Sequence, residues 1–180
     1  MIEGSLSRRY SKALFQLARE SGEEEKIGQE IEQFYAVYSG SELEQVLTNP
    51  AFSLETRKKI FLQVVRAQQL SSLTVRFLSL LLDRDRLAHL RGIVSRYRWL
   101  FNESKGRIEA KVVSAGELEP PAVERLRERL GRLSRKEVIL QKAVDPELLG
   151  GLLIELGGTV YDGSVRTQLE KMKQRIARGY

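Results

Sequence analysis

Apolar positions recur every three to four residues from the N-terminus to about residue 105, the rhythm of one helix after another. Leu6, Tyr10, Ala13, Leu14, Leu17 and Ala18 mark the first stripe. Gly22 closes it, because glycine adopts the left-handed conformation that ends a helix at little steric cost. Ile27, Ile31, Phe34, Tyr35 and Tyr38 mark a second helix bounded by Gly40, and its opening acids, Glu23 to Glu25, sit where the helix dipole favours negative charge. A short third helix is predicted over 42–47. Asn49-Pro50 stops it, since the residue before proline is pushed out of the helical region. Ser53 is the expected N-cap of a fourth helix carrying Ile60, Phe61, Val64 and Val65. The fifth, through Leu73, Val75, Phe77, Leu78, Leu80, Leu81 and Leu82, is apolar on nearly every side, which predicts a central place in a bundle. Leu87, Leu90, Val94, Tyr97, Leu100 and Phe101 give a long, amphipathic sixth helix.

The period changes after Gly106. Ile108, Ala110 and Val112 alternate with Glu109, Lys111 and Val113, the two-residue rhythm of a strand. Pro120 and Pro121 open a helix striped by Val123, Leu126, Leu130 and Leu133. Strands are predicted over 137–141, 152–156 and 159–161, the last two joined by Gly157-Gly158 as a hairpin. Ser164 is the expected cap of a final helix carrying Val165, Leu169, Met172 and Ile176. The expected fold is therefore mainly α: an N-terminal six-helix bundle over residues 1–105, then a small α+β domain over 106–180.

Composition narrows the function classes. The 180-residue chain has no cysteine, which excludes disulfides, thiol catalysis and thiolate-bound metal. Met1 to Glu20 lacks the apolar run of a signal peptide, and the longest apolar stretch, around Leu148 to Ile154, is far short of the roughly 20 residues that span a bilayer. The expectation is a protein that does not enter the membrane by itself. The net charge of +6 fits an anionic partner. It is spread evenly, however: residues 1–106 carry 16 basic against 13 acidic side chains, and residues 107–180 carry 14 against 11. A basic nucleic-acid-binding module is the alternative reading these charges allow, and salt-dependent binding to DNA or RNA is its discriminator.

No catalytic constellation emerges. The single histidine, His89, has Asp85 four residues before it, which predicts a surface pair on one helix face and not a charge relay. Gly150-Gly151 leads into a strand and Gly157-Gly158 joins two strands; neither is followed by the helix and lysine of a phosphate loop. Ser164 has no histidine to activate it. Glu147, Glu155 and Asp162 lack metal-ligand spacing. Trp99 and the tyrosines fall on helical stripes and are expected in the core. Catalytic, cofactor and metal residues are all expected to be absent.

Several ordered segments nevertheless carry a resemblance. Arg9-Tyr10-Ser11-Lys12-Ala13-Leu14-Phe15, Leu47-Thr48-Asn49-Pro50-Ala51-Phe52, Phe77 to Leu81 with Arg86 to Leu90, and Ile108 to Ala115 are similar, in order, to segments of the delta subunit of bacterial F-type ATP synthase. The mitochondrial member is the oligomycin-sensitivity-conferring protein. The strongest match runs from Gly150-Gly151 to Asp162-Gly163-Ser164-Val165-Arg166 and Leu169. Ser11 stands where that family commonly has alanine, and Gly158 where it commonly has an acid. The resemblance implies a non-catalytic stator subunit, one copy per complex, without cofactors, metal or nucleic acid. It links the N-terminal helices of the alpha subunits on the catalytic head to the b subunits of the peripheral stalk, so that proton flow is coupled to ATP synthesis. It also implies a peripheral location on the cytoplasmic face of the bacterial inner membrane. An amphipathic helix needs an apolar groove; Tyr10, Ala13, Leu14, Leu17, Phe77 and Leu80 are the candidates for the alpha-subunit groove. Gly150, Gly151, Leu153, Asp162 and Arg166 are the candidates for the stalk contact.

Overall fold

The computed structural model describes residues 2–177. The chain divides into two compact units, Met1–Phe101 and Asn102–Tyr180. The division falls a few residues before the Gly106 at which the sequence changes rhythm, because the Asn102 side-chain amide donates to Glu109 Oε1 at 2.7 Å and ties the end of a helix to the strand that follows.

The first unit is helical. Its elements are α1 (Ile2–Glu20), α2 (Glu24–Tyr38), α3 (Glu42–Thr48), α4 (Leu54–Ala67), α5 (Ser72–Asp83), a 3-10 turn (Leu87–His89) and α6 (Leu90–Ser104), whose last residues pass into the second unit. The expected stops hold: Gly22 and Gly40 take φ of +69° and +71°. Ser53 and Ser71 cap α4 and α5 by accepting from the Thr56 and Thr74 amides. One core draws on all the helices, including Leu14, Ile27, Ile31, Phe34, Phe61, Leu78, Leu81, Leu90 and Tyr97. Phe34 stacks on Tyr38 and meets Phe61 edge-on. At Gly92 an added Cβ would lie 2.5 Å from Ser7 Oγ, so α6 lies close against α1 here and a larger residue would make the Ser7 side chain move.

A buried polar knot holds α2 to α5. The Glu30 carboxylate accepts from the Ser71 amide at 3.1 Å, from Ser71 Oγ at 2.6 Å and from Thr74 Oγ1. These groups open α5, where a carboxylate both satisfies amides that have no partner inside the helix and complements the helix dipole.

Two expectations change here. The sixth helix does not begin as a regular helix at Leu87. Asp85 takes φ of +52° and the chain turns before the 3-10 segment. Asp85 is therefore not on a helix face with His89; its carboxylate instead accepts from the buried Arg57 guanidinium at 2.7 Å, while the same Arg57 nitrogen also donates to the Leu47 carbonyl at 3.3 Å. Trp99 is not in the core either: it is 41% exposed, with the Arg96 guanidinium 3.7 Å from its ring centre. A planar cation on the aromatic face supplies the contact that the core would have given.

The second unit is a four-stranded sheet with two helices. β1 (Arg107–Ser114) and β2 (Glu137–Val144) run parallel, joined through α7 (Pro120–Ser134). β3 (Leu152–Leu156) and β4 (Thr159–Asp162) follow antiparallel, in the order β2-β1-β3-β4, and α8 (Val165–Ala177) is the last element among the described residues. Alternation decides which residues are covered: Ala110, Val138 and Leu156 form a small core with Leu130 of α7, joined by Ile108, Leu126, Leu140 and Ile154. Gly157 and Gly158 take φ of +57° and +88°, the doubly left-handed geometry of a tight hairpin turn.

Candidate functional sites

The groove candidates divide by burial. Tyr10, Ala13, Leu14 and Leu17 follow one another at helical spacing on α1, and Phe77 and Leu80 do so on α5. The Tyr10 and Phe77 rings meet edge-on with centroids 6.5 Å apart, bringing the two helices together. Leu14 is fully buried and Phe77 nearly so; both belong to the core and offer a partner little or no surface. Ala13 is exposed, Leu17 is 49% exposed and Leu80 44%. Ala13, Leu17 and Leu80 are thus exposed apolar positions on two helices whose Tyr10 and Phe77 rings are in contact.

The stalk candidates lie around a clasp in the second unit. Gly163 donates its amide to the Leu152 carbonyl at 2.9 Å, and Val165 donates to the Gly150 carbonyl at 3.0 Å. Asp162 Oδ1 accepts from the Ser164 amide at 2.9 Å, and Oδ2 accepts from Thr167 Oγ1 at 2.8 Å. Ser164 Oγ accepts from the Thr167 amide, completing the cap of α8. Gly151 has φ of +83°, and a Cβ there would stand 2.3 Å from the Gly163 carbonyl oxygen. Gly150 is less confined, its Cβ position lying 3.1 Å from a Val165 side-chain methyl. Gly150, Gly151 and Asp162 thus fasten the start of β3 to the start of α8. Of the five candidates, Arg166 projects from exposed helix surface and Leu153 is half-buried on the sheet face opposite α7.

The Asp162 carboxyl is held below the ordinary carboxylate range, first by the Ser164 amide and then by the Ser164 and Thr167 hydroxyls. Its contribution to stability is complete above that ordinary range and is lost as pH falls through the lowered value. The thermal midpoints of the native chain and Asp162→Asn are therefore expected to differ at neutral pH and to converge as pH drops below about 4. A gap that persists unchanged at pH 3 would contradict the cap.

Among the described residues, no group of three or more His, Cys, Asp or Glu side chains is placed to hold a metal ion. A recess of about 60 Å³, lined by Leu47, Thr48, Leu82, Asp85, Leu87 and Ala88, has room for a few water molecules and not for a cofactor. No described helix is long and apolar enough to cross a membrane.

Residues 6–176 match the family described as ATP synthase delta (OSCP) subunit. ATP synthase subunit delta of Anaeromyxobacter sp. (strain Fw109-5) is 42% identical over 177 residues, covering 98% of this chain and 99% of that one. The same subunit of Desulfosudis oleivorans is 38% identical over 175 residues, covering 97% and 96%. A chain from the Toxoplasma gondii mitochondrial ATP synthase hexamer shares the fold with a TM-score of 0.69 at 19% identity, covering 96% of this chain and 97% of that one. With a match that runs nearly end to end, the chain belongs to the ATP synthase delta (OSCP) subunit family, a non-catalytic structural subunit at the periphery of the ATP synthase complex.

Proposed function

We propose that this chain is the stator link of a bacterial ATP synthase. Its six-helix bundle, residues 1–105, holds the N-terminal helices of the alpha subunits on the catalytic head, and its C-terminal α+β domain, residues 106–180, holds the b subunits of the peripheral stalk. One copy per complex, on the cytoplasmic face of the inner membrane, then keeps the head from turning with the rotor, and proton flow is converted into ATP synthesis. The observation that carries this reading is the exposure of Ala13, Leu17 and Leu80 on α1 and α5, the two helices that meet at the Tyr10–Phe77 contact. Two binding regions on one chain also raise the effective concentration of each partner for the other.

Ala13→Arg tests the groove. Because Ala13 is exposed, the substitution is expected to leave the melting temperature nearly unchanged while placing bulk and charge at the proposed contact. Binding of a peptide carrying the alpha-subunit N-terminus to the full chain is expected to weaken by about tenfold or more, equivalent to about 1.4 kcal/mol. A variant that binds as well as the native chain, or a native chain that binds no better to that peptide than to a scrambled one, would overturn the assignment.

A further inference from the structure

Helix α8 is fastened to its unit by its first turn, and beyond that turn its apolar side chains are bare. Leu169 is 54% exposed, Met172 57% and Ile176 79%, with Val165 nearer the clasp at 38%. These four positions are spaced by four, three and four residues, the a/d repeat of a coiled-coil seam. It is narrower than the stripe of a helix that lies on its own domain. In the heptad so defined the flanking positions include Arg166, Gln168 and Lys173. The only acid of the helix, Glu170, lies away from the seam. A second copy of this chain would set these cations against one another, which disfavours self-pairing. A lipid surface calls for a broad apolar face, commonly with aromatic anchors, whereas this seam is narrow and the helix has no Trp or Phe.

We infer that α8 is one strand of an intermolecular coiled coil, and that its occupant is a helix of another chain with apolar a/d positions and Glu or Asp at the flanks. The clasp sets the direction in which the strand leaves the sheet. Helices this short are marginal alone, so the partner also stabilises the strand it pairs with. This inference rests on the stalk reading of the second unit and adds the chemistry of the partner.

The test uses the full chain and a labelled peptide of several heptads with Leu and Ile in the seam and Glu at the flanks, followed by fluorescence anisotropy. The acidic peptide is expected to bind, more weakly as salt rises, and a matched peptide with Lys at the flanks is expected not to bind. Leu169→Asp is expected to weaken binding by about tenfold or more without changing the circular dichroism of the chain, since Leu169 is exposed. Equal binding of both peptides, or binding indifferent to Leu169→Asp, overturns the inference. So does a native dimer, seen by sedimentation, that Leu169→Asp dissociates. A parallel titration with the C-terminal segment of the b subunit separates the two proposals. If that segment binds the native chain and Leu169→Asp alike, the stalk reading stands and the seam is wrong. If it ignores the native chain while the acidic peptide binds, the seam stands and the stalk reading is wrong.

Discussion

Gly151→Ala is expected to open the clasp of the second unit and to be among the most destabilising single-methyl changes in the chain. The new Cβ would stand 2.3 Å from the Gly163 carbonyl oxygen and 3.0 Å from Ser164 Cα, both backbone atoms that cannot rotate away. The φ of +83° adds strain that glycine does not feel. Overpacking and strain together put the cost at about 3 kcal/mol, which lowers the melting temperature of a unit this size by on the order of 10–20 °C. The damage should concentrate where Gly163 and Val165 donate to Leu152 and Gly150, so hydrogen exchange at those two amides should accelerate more than in the first unit. A Gly151→Ala chain that melts with the native chain would show that the clasp does not hold the fold.

Glu30→Ala is the corresponding change in the first unit. It removes the acceptor from the Ser71 amide, the Ser71 hydroxyl and the Thr74 hydroxyl at once, in a site where Thr74 is fully buried. Donors left without partners, with the lost volume, cost roughly 3 kcal/mol. Glu30→Gln keeps the shape and part of the acceptor capacity, and is expected to lie between the two in thermal unfolding. If Glu30→Ala and Glu30→Gln were equally mild, α5 would not depend on this carboxylate for its opening turn.

Much of this architecture was readable from local signals. Gly22, Gly40 and Ser53 ended or opened helices where the pattern placed them, because helix termini are decided by one residue's conformation or one side-chain acceptor. The hairpin at Gly157-Gly158 was readable for the same reason. What sequence periodicity could not supply was long-range pairing. Asp85 looked like a partner for His89 at helical spacing, but Arg57, from α4, reaches it first. Trp99 lay on a stripe, yet it is 41% exposed, with the Arg96 guanidinium over its ring. The groove shows the same limit: Leu14 and Leu17 are indistinguishable in pattern, and only the fold makes one fully buried and the other half-exposed. At the C-terminus, the stalk candidates Gly150, Gly151 and Asp162 also close the clasp, an arrangement between the start of β3 and the start of α8 that no local pattern announces. The stripe of α8 was legible as a stripe, but nothing in a single sequence says whether a neighbouring element covers it, and the fold leaves Leu169, Met172 and Ile176 more than half exposed.

The most direct test of the stator link is ATP-driven proton pumping in membranes that carry the stalk and proton channel but have been stripped of the head and of this subunit. Adding back the head with the native chain is expected to restore pumping. Adding the head with Ala13→Arg is expected to leave ATP hydrolysis intact and to lose most of the pumping, because the head is no longer held to the stalk. Pumping that is restored equally by the head alone, by the native chain and by Ala13→Arg would contradict the account.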